Sequence, residues 1–359
     1  MKPRRALQVF AGPRARQHLA EAGLKPADVR VVPAAAGGPK GLVLNPLDRW
    51  LFGHWLAATP QPVHLLGASI GAWRMAAAAR TDADAALAEL AEDYITQDYP
   101  HAPGRPPTAE SVSRLFGAKL TERFGPAAAA EVLAHPGRRL HVFTSRGRGM
   151  IAREHPWRTK LGYAAAFGAN LASRRAMGRW LERVVFSDPR GPLPLPLADH
   201  PAHLVPLAPG SLPAALLASC SIPFWLQAVH DIPGAPPGAY WDGGITDYHL
   251  HLNYAAMADG LVLYPHFQRA LVPGWLDKAL KRRHRATPWL DNVVVLAPHP
   301  DWVATLPGAK LPDRNDFKTF AAEPAERMRR WRQAVAEAQR LADEAADWVA
   351  QPTQDSLPL

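Results

Sequence analysis

Five short apolar runs, separated by helix-forming segments, constrain the fold of this chain most. They lie at residues 30–34, 63–66, 140–143, 261–264 and 293–296. Apolar runs of this length between turn signals are typical of strands buried on both faces. Strands that alternate with helices form mostly parallel sheets. The sequence therefore predicts an α/β fold, a three-layer α/β/α sandwich around a mostly parallel sheet.

The segments between these runs predict the helices and loops of that sandwich. A short strand or loop is expected before the first helix, and Tyr240 and Trp241 form another short strand-like pair. Proline-rich loops are expected at 189–213. Helices are predicted at 15–22, 42–55, 72–79, 83–97, 109–124, 126–134 and 158–183, with a further short helix ending at 216–219.

The pattern changes beyond Pro312, where apolar residues recur at the spacing of one long helix. The residues on its apolar face are Met328, Trp331, Val335, Ala338, Leu341, Ala345 and Trp348. An apolar stripe of this kind usually packs on a protein core, and membrane binding is the alternative. We therefore predict one α/β domain at 1–310 and an amphipathic C-terminal helix and tail at 311–359, docked on it.

Composition indicates a globular protein without a membrane span. Of the 359 residues, 48% are hydrophobic and 20% are charged, as in folded domains. No apolar run approaches the ~18 residues that a spanning helix needs, and the apolar stretch at 6–11 is too short for a signal peptide. Cys220 is the only cysteine, so no intrachain disulfide is possible. We expect a cytoplasmic protein.

The chain carries a net charge of +9, most concentrated in a basic run at 278–285. This run contains Lys281, Arg282, Arg283 and Arg285. It is interpreted as a solvated helix face, and transient contact with an anionic membrane surface is the alternative. No RNA-binding or zinc-finger pattern accompanies it, so nucleic acid is not an expected partner.

Ser69 lies in the segment Gly67-Ala68-Ser69-Ile70-Gly71, between a predicted strand and a strong helix former. A sharp strand-to-helix turn of this kind, a nucleophile elbow, exposes a serine hydroxyl at the start of the helix. The helix N-terminus there favours developing negative charge. Glycine two positions before and after the serine avoids steric clashes in the turn. The alternative is an ordinary helix-capping serine.

A second glycine-rich segment, residues 36–41, also lies between a strand and a helix. Gly37 and Gly38 let the backbone approach a ligand and point N–H groups at it. The phosphate-loop pattern is absent, because Gly41 and Leu42 follow Lys40. An oxyanion hole, which stabilises the tetrahedral intermediate of acyl transfer, fits better. A glycine turn without a ligand is the alternative.

A serine nucleophile needs a base, and Asp242 followed by Gly243 and Gly244 is a candidate. The two glycines would allow the carboxylate to approach another part of the backbone. By itself, the same segment is more typical of an ordinary turn than of a catalytic base.

Taken together and in this order, these segments resemble those of the patatin-like acyl hydrolases. The matching pieces are Gly-Gly-Pro-Lys-Gly at 37–41, Gly-Ala-Ser-Ile-Gly at 67–71, Ala-Ser-Cys-Ser-Ile-Pro at 218–223 and Asp-Gly-Gly at 242–244. The resemblance covers about residues 30–250. It implies a patatin-like α/β/α fold and a Ser-Asp dyad without histidine. Phospholipids, lysophospholipids and other acyl esters are the implied substrates, with neither cofactor nor metal.

The resemblance also assigns roles to individual residues. Ser69 attacks the acyl carbonyl, and Asp242 accepts its proton and later activates water. Gly37 and Gly38 hold the oxyanion, and Lys40 occupies the basic position beside them. The departures from the family pattern, which include a first strand that lies deeper in the chain than in many members, leave the substrate open. Ala36 stands where the family usually has glycine, and Ile245-Thr246-Asp247 replaces the usual Asn-x-Pro run.

Three other interpretations remain open from the sequence. In a Ser-His-Asp esterase, His266 or His299 would be the base, since both follow predicted strands and come after Asp242. A non-catalytic lipid-surface protein is the second interpretation. The third is a metal site at His249, His251 and Asp247, for which packing histidines are the simpler explanation. Trp73, Phe224 and Trp225 are expected to fill the core, with an acyl pocket as the alternative.

Overall fold

The computed structural model describes residues 5–57, 59, 61–101 and 105–359. The chain has an α/β fold whose central sheet is mostly parallel. Within the described part of the chain its strands are β1 Leu7–Ala11, β2 Val29–Ala34, β3 Val63–Ala68, β4 Arg138–Gly147, β5 Leu181–Ser187, β6 Ala202–Pro206, β7 Val229–His230, β8 Ala239–Asp242, β9 Leu261–Pro265, β10 Val293–Pro298 and β11 Leu357–Pro358.

The sheet runs in the order β11-β1-β10-β9-β2-β3-β4-β5-β6. The central strands β10, β9, β2, β3 and β4 are parallel to one another, whereas β1 and β5 pair antiparallel with β10 and β4, respectively. A further strand, β8, pairs antiparallel with the end of β4, and β7 pairs with β8. Parallel central strands end at the same edge of the sheet, which is where ligands bind in open α/β folds.

The helices of the described residues lie before, between and after these strands. Their bounds are α1 Pro13–Ala22, α2 Asn45–Trp50, α3 Ile70–Ala78, α4 Ala83–Ile95, α5 Ala109–Arg123, α6 Pro126–Ala134, α7 Arg158–Ala172, α8 Arg174–Met177, α9 Leu212–Cys220, α10 Gly244–Asp247, α11 Pro300–Val303, α12 Asn315–Thr319, α13 Pro324–Glu337 and α14 Gln339–Val349.

Alternate residues of the central strands belong to two separate hydrophobic clusters. In β9, Leu261 and Leu263 pack with the helices on one face, whereas Val262 and Tyr264 pack with residues 248–272 on the other. This period of two follows from the pleat of a strand. Because both faces are covered, the strands are apolar throughout, and the expected layered fold around a mostly parallel sheet is confirmed.

The predicted C-terminal helix is two helices, because α13 ends at Glu337 and α14 begins at Gln339. Trp331, Leu341 and Ala345, which lie on the predicted apolar face, are buried against the domain. The apolar stripe therefore packs on the core, as the interpretation of a docked helix expected.

Two other stretches differ from the expectation. The predicted helix at 158–183 ends at Ala172, and its last three positions belong to β5, where Val184 and Val185 pair with β4. The predicted loop at 189–213 contains β6, an edge strand. Its single proline, Pro206, is tolerated because one side of β6 pairs with no described strand. Pairing with neighbours, which no local pattern reveals, explains both differences. No helix among the described residues is long and apolar enough to cross a membrane.

Candidate active site

The elbow around Ser69 joins β3 directly to α3. Ser69 has a φ of 56° and a ψ of −130°, a conformation that residues with a side chain rarely adopt. A Cβ on Gly71 would lie 2.0 Å from the carbonyl oxygen of Ala34, and a Cβ on Gly67 would lie 2.4 Å from Cα of Ala72. Both positions therefore require glycine, as the steric argument from the sequence predicted.

The hydroxyl of Ser69 donates a hydrogen bond to Asp242, with an Oγ–Oδ2 distance of 2.6 Å. The two residues are 173 positions apart in the chain, and the sheet brings them together. Ala68 lies opposite Phe143 of β4, and the next β4 residue, Thr144, lies opposite Asp242 of β8. Strand β8 thus places the carboxylate beside the end of β3.

The two glycines after Asp242 are required by close packing. A Cβ on Gly243 would lie 2.0 Å from the carbonyl oxygen of Phe143, and one on Gly244 would lie 2.6 Å from Cβ of Ala36. The backbone N–H of Gly244 donates to Asp242 Oδ1 at 2.7 Å. This bond occupies Oδ1 and leaves Oδ2 facing Ser69.

Burial raises the pKa of Asp242 above its usual value of 3.8. The hydrogen bond from Ser69, the positive charge of Arg314, the Gly244 N–H and Lys278 each oppose that rise, in decreasing order. A raised pKa makes a carboxylate a stronger proton acceptor, because general bases work best when their pKa approaches the working pH. The environment of Asp242 therefore suits the role of a base.

Ser219, in the segment 218–223, supports the elbow in a way that the sequence did not reveal. Its Oγ accepts a hydrogen bond from the backbone N–H of Ser69 at 2.8 Å and donates one to the carbonyl of Phe143 at 2.7 Å. The side chain is fully buried. Ser219 therefore ties the backbone of the strained residue to β4 and satisfies a buried N–H group.

The glycine loop lies beside the dyad with two unused donors. The backbone N–H groups of Gly37 and Gly38 form no hydrogen bond with any described residue. The N–H of Ala36, in contrast, donates to the carbonyl of Tyr248 at 2.9 Å. Gly38 has a φ of 57°, which favours glycine. Adjacent free donors beside a nucleophile are what an oxyanion hole requires.

A cationic cavity of about 240 Å³ opens beside Asp242 and Gly37. Its lining contains three cations, Lys40, Lys278 and Arg314, and two carboxylates, Asp242 and Asp313. None of the three cations forms a salt bridge with a described residue. Burial and then the neighbouring charges of Lys40 and Arg314 lower the pKa of Lys278 to about 8. Burial also lowers the pKa of Lys40. Unpaired cations that repel each other in a cavity indicate a site for an anion.

An apolar cavity of about 420 Å³ opens beside Ser69. Ile222 and Arg314 line both cavities, so the two meet at the dyad. Among the residues that line the apolar cavity are Ser69, Ile70, Tyr94, Val112, Phe116, Cys220, Trp225, Leu226 and Phe317. A volume of this size is in the range of cavities that hold small organic ligands.

Neither candidate histidine is hydrogen-bonded to Ser69 or Asp242. His266 is buried, where its Nδ1 faces the carbonyl of Gln268, and burial lowers its pKa to about 3. His299 caps α11 by accepting from the N–H of Asp301. The geometry therefore favours Asp242 over either histidine as the base.

The three residues of the candidate metal site make separate contacts. Asp247 forms a buried salt bridge with Arg183, and His251 bonds to Thr287 and to the carbonyl of Leu271. Burial lowers the pKa of His249 well below its usual value. No group of three or more potential ligands that could hold a metal occurs in the described part of the chain.

The expectation of core packing is confirmed for one aromatic residue of three. Trp73 is buried and packs against Tyr94 and Phe116. The same expectation is wrong for Phe224 and Trp225, which are exposed. They lie in the loop after α9, and Trp225 lines the apolar cavity. Phe224 has a φ of 70°, so its side chain is held in an unusual backbone conformation.

No family model matches the chain, and no curated protein matches it.

Proposed function

We propose that the protein is a serine acyl hydrolase that cleaves carboxylic esters of lipids. The observation that carries the proposal is the 2.6 Å hydrogen bond from Ser69 Oγ to a buried Asp242, at the strained turn between β3 and α3. Strained backbone at a buried polar residue is typical of functional sites, since packing must hold it in place. Membership of the patatin-like acyl hydrolases is part of this proposal, supported by the convergence of the three glycine-containing segments.

In the first half of the reaction, Ser69 Oγ attacks the acyl carbon and its proton passes to Asp242 Oδ2. The N–H groups of Gly37 and Gly38 and the N-terminus of α3 stabilise the negative oxygen of the tetrahedral intermediate. The C–O bond to the alcohol then breaks. The alcohol takes the proton from Asp242 and leaves, and the acyl group remains on Ser69.

In the second half, water attacks the acyl-Ser69 ester. Asp242, ionised again, accepts a proton from the water as it attacks. The bond to Ser69 Oγ breaks, the serine recovers its proton, and the carboxylic acid leaves. Because the pKa of Asp242 is raised, both proton transfers face a smaller energy gap than an ordinary aspartate would give.

The two cavities support a particular class of ester. The apolar cavity beside Ser69 suits an acyl chain, and the three cations of the other cavity suit an anionic group on the alcohol. An ester bond between the two would lie at the dyad. Phospholipids and lysophospholipids have this arrangement, with an acyl chain on one side of the ester and a phosphate on the other. We further propose that the protein works in the cytoplasm.

A panel of esters that varies chain length and head group tests the proposal. The unmodified protein should hydrolyse medium- or long-chain esters and react with a fluorophosphonate probe. Ser69→Ala should lose both properties, and Asp242→Asn should lose turnover. His299→Ala, which changes a residue without contact to the dyad, should keep full activity. Retained turnover in Ser69→Ala, or lost turnover in His299→Ala, would contradict the dyad.

A further inference from the structure

Helix α7 exposes an apolar face to solvent along its whole length. Trp157, which precedes it, is 71% exposed, and Leu161 and Leu171 are 59% and 44% exposed. Phe167 belongs to the same exposed side, whereas the opposite side, with Tyr163, is buried. Residues 161–173 contain no charged side chain. A surface helix of a globular protein normally carries polar residues on its outer face, so this face requires a partner.

Basic residues surround this apolar face. Arg158 and Lys160 lie at the start of α7, and Arg175 follows its end, all of them exposed. The Lys160 ammonium lies 5.4 Å from the centre of the Trp157 ring. Tryptophan beside lysine is a common pair at the boundary between water and lipid.

The basic run at 278–285 lies against the same helix. Arg283 donates to Asn170 of α7 at 3.2 Å and forms a salt bridge with Asp277, which also bonds to Asn170. This anchor leaves Lys281 and Arg282 exposed, without a salt bridge to any described residue. The structure thus places the most basic segment of the sequence beside α7, in contact with the buried side of that helix.

The apolar face leads to the opening of the candidate active site. Phe224 is 56% exposed and its ring contacts Tyr163 of α7, with ring centres 6.0 Å apart. Its neighbours Pro223 and Trp225 line the cationic and the apolar cavity, respectively. Trp275, also exposed, lines the cationic cavity near Asp277. A binding partner that contacted both α7 and these aromatic residues would therefore lie across the entrance to both cavities.

We propose that α7, the loop at 222–225 and the basic run form a docking surface for anionic lipid, and this inference rests on the proposed function. The apolar side chains enter the acyl region, and the cations contact the charged head groups. A second copy of the chain fits less well, because a symmetric interface would oppose the same cations. Docking in this way would let a lipid pass from the surface to Ser69 with little exposure to water.

Vesicle binding by the Ser69→Ala variant tests the surface without turnover. This protein should bind phosphatidylglycerol vesicles strongly and phosphatidylcholine vesicles weakly in a flotation assay. Adding Leu161→Glu and Leu171→Glu should weaken binding by about tenfold or more, since each change removes apolar burial and places a negative charge near the lipid. Leu204→Glu, a change of an equally exposed leucine on β6, is the matched control and should bind normally.

Charge is tested by reversing two residues of the basic run. Lys281→Glu with Arg282→Glu should weaken binding to the anionic vesicles by roughly 25-fold or more, because each basic residue near such a surface contributes about a factor of five. Arg14→Glu with Arg16→Glu on α1 makes the same change in net charge elsewhere, and should have a much smaller effect.

Three results would overturn the proposal. In the first, the Ser69→Ala protein does not bind anionic vesicles. In the second, the α7 variants bind as well as the Leu204→Glu control. In the third, sedimentation shows a dimer that Leu161→Glu and Leu171→Glu dissociate. Hydrolysis of a soluble short-chain ester is measured in parallel with Ser69 intact. The α7 variants should keep that activity. A protein that binds vesicles through α7 but cleaves no ester would contradict the proposed function alone.

Discussion

Replacing Ser69 by glycine and by alanine separates the strain of the elbow from the chemistry of its hydroxyl group. Both variants lose the hydroxyl and its hydrogen bond to Asp242, so these losses cancel in the comparison. A residue with a side chain held at a φ of 56° and a ψ of −130° costs about 1–3 kcal/mol. Glycine removes this cost, because it lacks the Cβ that creates it.

The flexibility of glycine in the unfolded chain offsets part of that gain, by about 0.4–1 kcal/mol. We therefore expect Ser69→Gly to be more stable to unfolding than Ser69→Ala by about 0.5–2 kcal/mol. Urea denaturation followed by tryptophan fluorescence measures this difference, and the chain has 12 tryptophans to report it. Both variants should be inactive.

A control at an ordinary helical position gives the opposite sign. Ala130 is exposed in the middle of α6, so Ala130→Gly should lower stability by about 0.5–1 kcal/mol. At such an ordinary position alanine is more stable than glycine. If Ser69→Ala likewise proves as stable as Ser69→Gly or more stable, then the backbone of Ser69 is not strained. Packing would then not hold the elbow in an unfavourable backbone conformation.

Three further predictions concern the residues around the elbow. Asp242→Asn should abolish turnover but raise the melting temperature by roughly 1–3 °C at neutral pH. The pKa of Asp242 is raised in the folded protein, so the stability that its protonated form contributes is present below pH 3.8 and is lost as pH rises through the folded pKa. The stability advantage of Asp242→Asn should therefore vanish in acid. Ser219→Ala should lower kcat by roughly tenfold or more with little change in KM, since it loosens the Ser69 backbone, and an unchanged kcat would contradict that role. For esters with an anionic head group, KM should rise above pH 8 as Lys278 loses its proton, and Lys278→Met should remove this dependence; a neutral ester of equal chain length should show neither effect.

The predictions from sequence succeeded where neighbours in the chain determine the structure. The elbow is mainly a local feature, because the clash that requires Gly67 arises within one strand-to-helix turn. The clash that requires Gly71 is with Ala34 of the neighbouring strand β2. The apolar runs that form β2, β3, β9 and β10 are likewise local signals. The predictions from sequence failed for β5 and β6, because the formation of these strands depends on pairing with other strands.

The sequence by itself determined the α/β architecture, the candidate serine and the glycines around it, because hydrophobic period and backbone sterics act over a few residues. Only the tertiary structure decided what those residues meet. It brought Asp242 to 2.6 Å from Ser69, placed Ser219 behind the elbow, and collected Lys40, Lys278 and Arg314 in one cavity. It also decided that one face of α7 stays exposed, since a helix apolar on nearly all sides gives no sign of which side its neighbours will cover.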